Sequence, residues 1–208
     1  MRLAIKIDPA AESVPVAVSK VELGFPSDLG LATSGLGLAE CDPARLALLG
    51  ESVCPADSRL GAGSATVGVA FGPALVHEQV TLGLFAAPSS DGFIHLSILA
   101  TGLEPIDARI VMSGVLLPGR LQISVPAVPS VPGAPDVAVL SLQATLGGAL
   151  TYYEHAHGHT IAYRPRGIAL PDRCPPGGWR MSARVAFMDG SVSRAGTVVG
   201  CPRSTARG

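Results

Sequence analysis

Ala65-Thr66-Val67-Gly68-Val69-Ala70-Phe71, followed from residue 80 by Val80-Thr81-Leu82-Gly83-Leu84-Phe85-Ala86, alternates apolar with small or polar residues at a period of two. Only a β-strand places every second side chain on the same side, so Ala65, Val67, Val69 and Phe71 form one face. Val80, Leu82, Leu84 and Ala86 form the matching face of the next strand. Gly61 and Gly63, at the entrance to the first strand, permit a close approach of neighbouring backbone. The same alternation extends outward in both directions. It recurs at Leu3, Ile5 and Ile7, from Val14 to Leu23, and from Phe93 to Ala100. It returns from Ile106 to Leu116, Leu121 to Val125 and Asp136 to Leu146, with Gly or Pro at the boundaries. Strands spaced every 8 to 12 residues, without helices between them, predict an all-β fold. The expected architecture is an antiparallel β-sandwich of Greek-key or jelly-roll type. One domain is expected over residues 1–208, with a flexible tail at 203–208.

One helix interrupts the pattern. In Cys41-Asp-Pro-Ala-Arg-Leu-Ala-Leu-Leu-Gly-Glu-Ser-Val-Cys54, Asp42 is suited to cap the first turn, Pro43 to begin it, and Gly50 to end it. This predicts a short helix over 42–50 with a cysteine on either side. Bonding Cys41 to Cys54 closes a loop of 14 residues and restrains the unfolded chain by about 3 kcal/mol.

Charged residues make up only 15% of the 208-residue chain and hydrophobic ones 48%, so an ample core is expected rather than disorder. Asn is absent, which leaves turns to Gly, Pro, Asp and Ser and rules out an N-glycosylation sequon. Net charge is −1, but it is unevenly spread. Residues 164–208 carry eight Arg against Asp172 and Asp189, a bias that suits either an anionic partner or the acidic remainder of the same fold. A net charge near zero and the lack of a recognition module argue against nucleic acid.

The four cysteines fall into two sequence-local pairs, Cys41 with Cys54 and Cys174 with Cys201, and no histidine stands at zinc-finger spacing from either. Structural disulfides, and with them an oxidising extracytoplasmic compartment, are the expectation. The opening Met-Arg-Leu-Ala-Ile-Lys-Ile-Asp has no apolar run of signal-peptide length, so the chain is read as a mature fragment without its leader. No uncharged stretch reads as a membrane span.

Two hairpins are legible near the C-terminal end. Tyr152 to Tyr163 turns at His157-Gly158, which sets Tyr152 opposite Tyr163. Trp179 to Met188 returns as Ser191 to Gly200, with Met181, Ala183, Val185 and Phe187 facing the core. A two-residue turn would bury Arg194 opposite Val185. A three-residue turn keeps Arg194 outside and is expected, because an unpaired buried guanidinium is costly. Either register brings Cys201 back beside residues 178 and 179, a few positions from Cys174. Pro126, Pro129, Pro132 and Pro135 recur every third residue and are read as an extended sheet-edge or crossing segment.

Catalytic signatures are mostly missing: there is no GxSxG, no P-loop and no GxGxxG, and His77-Glu78 does not continue to a second histidine four residues on. The candidate metal ligands are His155, His157 and His159, since alternate residues of a strand share a face, with Glu154 or His95 to complete a set. If Gly158 lies in the turn, that shared face is lost. The candidate ligand-binding surface is Tyr152, Tyr163, Arg164, Arg166 and Trp179, since aromatic faces beside guanidinium groups suit sugar rings and anionic polymers.

Five segments carry a resemblance. They are Leu36-Gly-Leu-Ala-Glu-Cys41, Cys54-Pro-Ala-Asp-Ser-Arg-Leu-Gly-Ala-Gly-Ser-Ala65, Val128-Pro-Ser-Val-Pro-Gly-Ala-Pro-Asp136, Leu150-Thr-Tyr-Tyr153 and Arg166-Gly-Ile-Ala-Leu-Pro-Asp-Arg-Cys-Pro-Pro-Gly-Gly-Trp179. Together, from about residue 25 to residue 202, the chain resembles a family of uncharacterised secreted proteins from high-GC Gram-positive bacteria. The resemblance implies an extracytoplasmic β-rich domain with paired cysteines and offers no catalytic residues to carry over. The resulting expectation is a non-enzymatic structural or binding module of the bacterial cell surface that needs no cofactor. Its partner would be a cell-wall polysaccharide, an anionic polymer or another surface protein. The competing expectation is a metal-binding protein or metal-dependent hydrolase built on the histidine hairpin.

Overall fold

In a computed structural model the described residues are 2–7, 15–31, 39–71, 74–102, 107–128, 136–147, 151–165, 168–169 and 173–201. The alternating segments form strands. They are β1 (Arg2–Lys6), β2 (Val18–Gly24), the two-residue β3 (Gly30–Leu31), β4 (Arg59–Phe71), β5 (Ala74–Ala87), β6 (Ile94–Gly102), β7 (Ala108–Leu117), β8 (Arg120–Ser124) and β9 (Ala138–Leu146). The C-terminal part adds β10 (Tyr152–Ala156), β11 (His159–Tyr163), the short β12 (Ile168–Ala169), β13 (Trp179–Phe187) and β14 (Val192–Val199). The proline repeat falls between β8 and β9, and most of it, 129–135, lies outside the described residues, as does the expected tail.

These strands do not divide into the two layers of a sandwich. Ten of them form one antiparallel sheet in the order β1-β9-β4-β5-β6-β7-β8-β2-β13-β14, curled into a half-barrel. The expected sandwich is therefore corrected. A sandwich requires the ladder to break between layers, whereas here β1 adds to β9, and β2 fills the place between β8 and β13. Curling lets the sheet bury its own inner face. β1 and β13 are eight strand spacings apart in the order, about 38 Å across a flat sheet at roughly 4.8 Å each. Yet Leu3 and Ile5 of β1 line the same interior cavity as Val185 of β13.

The glycines at the start of β4 let the backbone of β9 approach closely. A Cβ at Gly61 would collide with the backbone carbonyl of Thr145, and one at Gly63 with that of Gln143, both on the paired strand β9. Gly63→Val is expected to force the two strands apart. Unfolding in urea should show a loss of about 2 kcal/mol or more, the scale of overpacking with backbone displacement.

The helix forms as its caps dictate. In α1 (Pro43–Leu49) the Asp42 carboxylate accepts the Arg45 N–H at 2.8 Å, Pro43 begins the helix, and Gly50 ends it at φ 79°. Cys41 is bonded to Cys54, and the Cys41 N–H donates to the Ala86 carbonyl of β5 at 2.8 Å. The stapled knuckle covers the outer face of the sheet, where fully buried Leu46 meets Phe85, Leu99 and, at the margin, Val111. β5 and β6 are thus covered on both sides. Leu82, Leu84 and Ile98 face the interior core, while Phe85 and Leu99 face the helix.

Both C-terminal hairpins take the registers read from the sequence. Tyr152 is opposite Tyr163, with His157 at φ 50° and Gly158 at φ 77° in the turn. Arg194 is opposite Arg184, the pairing of a three-residue turn, and Cys174 is bonded to Cys201.

Candidate functional site

The strand period determines what the curl encloses. On β5 the residues facing inward are Glu78, Val80, Leu82 and Leu84, all buried. Equivalent positions on the other strands, among them Ala65, Val67, Ile98, Met112, Ile123 and Val139, bring their side chains to the same space. The result is a cavity of about 140 Å³ lined from nine strands, including those near both ends of the sheet. Among the described residues, every lining side chain but one is a hydrophobic residue, a proline or a glycine. The size is comparable to the roughly 150 Å³ engineered apolar cavity that stays dry and takes up benzene.

Glu78 is the exception. It is 3% exposed, and its Oε1 finds no hydrogen-bond partner among the described residues. It stands opposite Val67 on β4, and Val67 is in turn opposite Val139 on β9. Sequence reasoning misses this residue when His77-Glu78 is weighed only as an incomplete metalloprotease motif. The available signal is its parity: Glu78 precedes Val80 and Leu82 on the same face.

The histidine hairpin does not assemble the expected ligand set. His155 is paired with Thr160 and His159 with Ala156, so His155 and His159 fall on opposite faces of the two-stranded β10–β11 ribbon, and His157 occupies the turn. His155 Nδ1 is 2.9 Å from the Thr160 hydroxyl. Neither proposed helper joins them. A Glu154 oxygen accepts the Ala56 N–H at 3.0 Å, and His95 Nε2 lies 2.9 Å from Asp91. Among the described residues, no three His, Cys, Asp or Glu groups stand together as a set that could hold a metal ion.

The aromatic and arginine residues are divided between elements. Tyr152 and Tyr163 pair at the base of the β10–β11 hairpin, which packs on the 3-10 turn Ala56–Ser58, and Arg164 follows, exposed. Trp179 begins β13 opposite Val199 and is 5% exposed, and Arg166 lies outside the described residues. A different arginine uses the Tyr152 ring. Arg59 lies 5.1 Å from the Tyr152 centroid and 5.2 Å from that of Phe85, and its Nη1 is 3.0 Å from Glu51. This clamp ties the hairpin to the knuckle through stacking and an ion pair.

Burial pushes the Tyr152 phenol above its ordinary value, the positive charge of Arg59 opposes this, and Glu51 adds to it. A raised phenol contributes stability that is fully present below the unfolded value near 10 and is lost as pH rises through the folded one. Melting temperature should therefore fall above about pH 10 in the wild type and fall less in Tyr152→Phe. At pH 7 Tyr152→Phe should melt no lower than the wild type, because the buried Tyr152 hydroxyl has no hydrogen-bond partner among the described residues to lose.

Compared with known proteins, the chain matches no family model, no curated protein and no solved structure.

Proposed function

We propose that the protein is a non-enzymatic binding module that works outside the cytoplasm and holds a small apolar ligand inside the curl of its sheet. The observation that carries this reading is the apolar cavity lined by strands near both ends of the sheet. Apolar groups gain about 25 cal/mol for each Å² they withdraw from water, so a hydrocarbon group is the natural occupant. The two disulfides, Cys41–Cys54 and Cys174–Cys201, support the oxidising compartment. The surface expected to bind sugars gives less support, because Trp179 is buried and Arg59 stacks on Tyr152.

Calorimetric titration with hexan-1-ol tests the reading. Saturable binding is expected in the wild type and at least tenfold weaker binding in Ala100→Phe, which adds a ring at a half-buried position lining the cavity. Absence of saturable binding to the wild type, or equal binding to a folded Ala100→Phe, would overturn it.

A further inference from the structure

A carboxyl group has no evident purpose in a cavity meant for hydrocarbon alone. An isolated carboxylate removed from water without a partner is heavily penalised, which is why buried acids are ordinarily hydrogen-bonded or paired. Among the described residues, Glu78 meets neither condition at Oε1. It is also not a surface acid that happens to be shaded. Its strand parity directs it inward with Val80 and Leu82, and it lines the cavity along with the apolar residues Val67 and Val139. Among the described residues, no arginine or lysine lines the cavity. A ligand that brings N–H donors and positive charge would give Glu78 the partner it lacks among the described residues.

Resting on the apolar-ligand reading, we propose that Glu78 receives the protonated amine of a small cationic amphiphile whose hydrocarbon part fills the rest of the cavity. Charge-assisted N–H···O bonds are roughly twice as strong as neutral ones, and a low-dielectric wall strengthens them further. The hydrocarbon part is limited by the volume. A cavity of about 140 Å³ suits a benzene-sized ring or a chain of about six carbons. The ligand class is therefore a primary alkylamine or arylalkylamine of that size. A carboxylate of the same chain length brings no N–H donor and sets its charge against the Glu78 oxygens.

The test compares n-hexylamine, hexan-1-ol and hexanoate at pH 7 by calorimetric titration of the intact protein. Hexylamine is expected to bind at least tenfold more tightly than hexanol, and hexanoate most weakly. In Glu78→Gln the advantage of hexylamine over hexanol should disappear while hexanol binding remains. Glu78→Leu, checked for folding by circular dichroism, provides a second variant with the same expectation. Equal affinities of hexylamine and hexanol for the wild type would overturn the amine assignment and leave the apolar-ligand reading intact. So would an amine preference that survives in both variants. Failure of both compounds to bind the wild type would overturn the two readings together.

Discussion

Phe85→Ala is expected to destabilise the protein by about 3–5 kcal/mol, the cost of removing a large aromatic side chain from a fully packed site. Phe85 is completely buried beneath the knuckle. It touches the cluster formed by Cys41, Leu46, Cys54 and Leu99, and Arg59 lies over its ring. The variant would open a void between helix and sheet and would also remove one side of the Arg59 clamp. Chemical unfolding followed by tryptophan fluorescence reads the loss, since the single tryptophan, Trp179, lies on the distant strand β13 and reports the whole sheet. A loss under 1 kcal/mol would mean that the knuckle does not pack where the structure places it.

The second large effect is expected at the staple. Replacing both Cys41 and Cys54 with serine opens a loop with a sequence separation of 13 and should cost about 3 kcal/mol, with the unfolded chain gaining most of the freedom. The same experiment carries an internal check. Both cysteines are buried, so the serine hydroxyls also enter an apolar cluster, and the double alanine variant should recover part of the loss. Thiol titration of unfolded wild-type protein purified without reductant should find no reactive sulfhydryl, because every cysteine is bonded. Four reactive thiols would remove both the staple and the argument for an oxidising compartment.

The local features of this fold were legible in the sequence because each is specified within a few residues. Asp42, Pro43 and Gly50 define the helix through capping chemistry. His157-Gly158 defines a hairpin because both residues take positive φ. The three-residue turn after β13 is found as expected, but not for the expected reason, since every residue of β14 is exposed and the position opposite Val185 is not a buried one. The alternation at Ala65 to Phe71 and Val80 to Ala86 identified strands and one of their faces.

The number of layers was not legible. Alternation has the same period whether a strand belongs to a sandwich or to a single curled sheet. The difference lies in long-range pairings such as β1 with β9 and β2 with both β8 and β13, for which no short motif exists. Phe85 shows the limit at one residue. Its parity is opposite to that of Leu82 and Leu84, so the period alone would direct it to solvent, yet the knuckle covers that face as well. Glu78 shows the converse. Its parity placed it inside, but a motif is defined by consecutive neighbours along the chain, whereas the environment of Glu78 is set by residues that share its face. The three histidines are not brought to one face for a related reason, since strand spacing no longer implies a shared face once the chain turns between the residues.

The central claim is that one sheet curls around an apolar interior open to a ligand, while the opposite face of β5 and β6 is covered by the helical knuckle. Methyl NMR spectra recorded during titration with n-hexylamine test this most directly. The account predicts saturable shifts at the inner methyl groups of Leu82, Ile98, Ile123 and Val139, with those of Leu46, Leu99 and Val111 on the outer face unmoved. Shifts concentrated on the outer set, or none on the inner set at saturating amine, would contradict it.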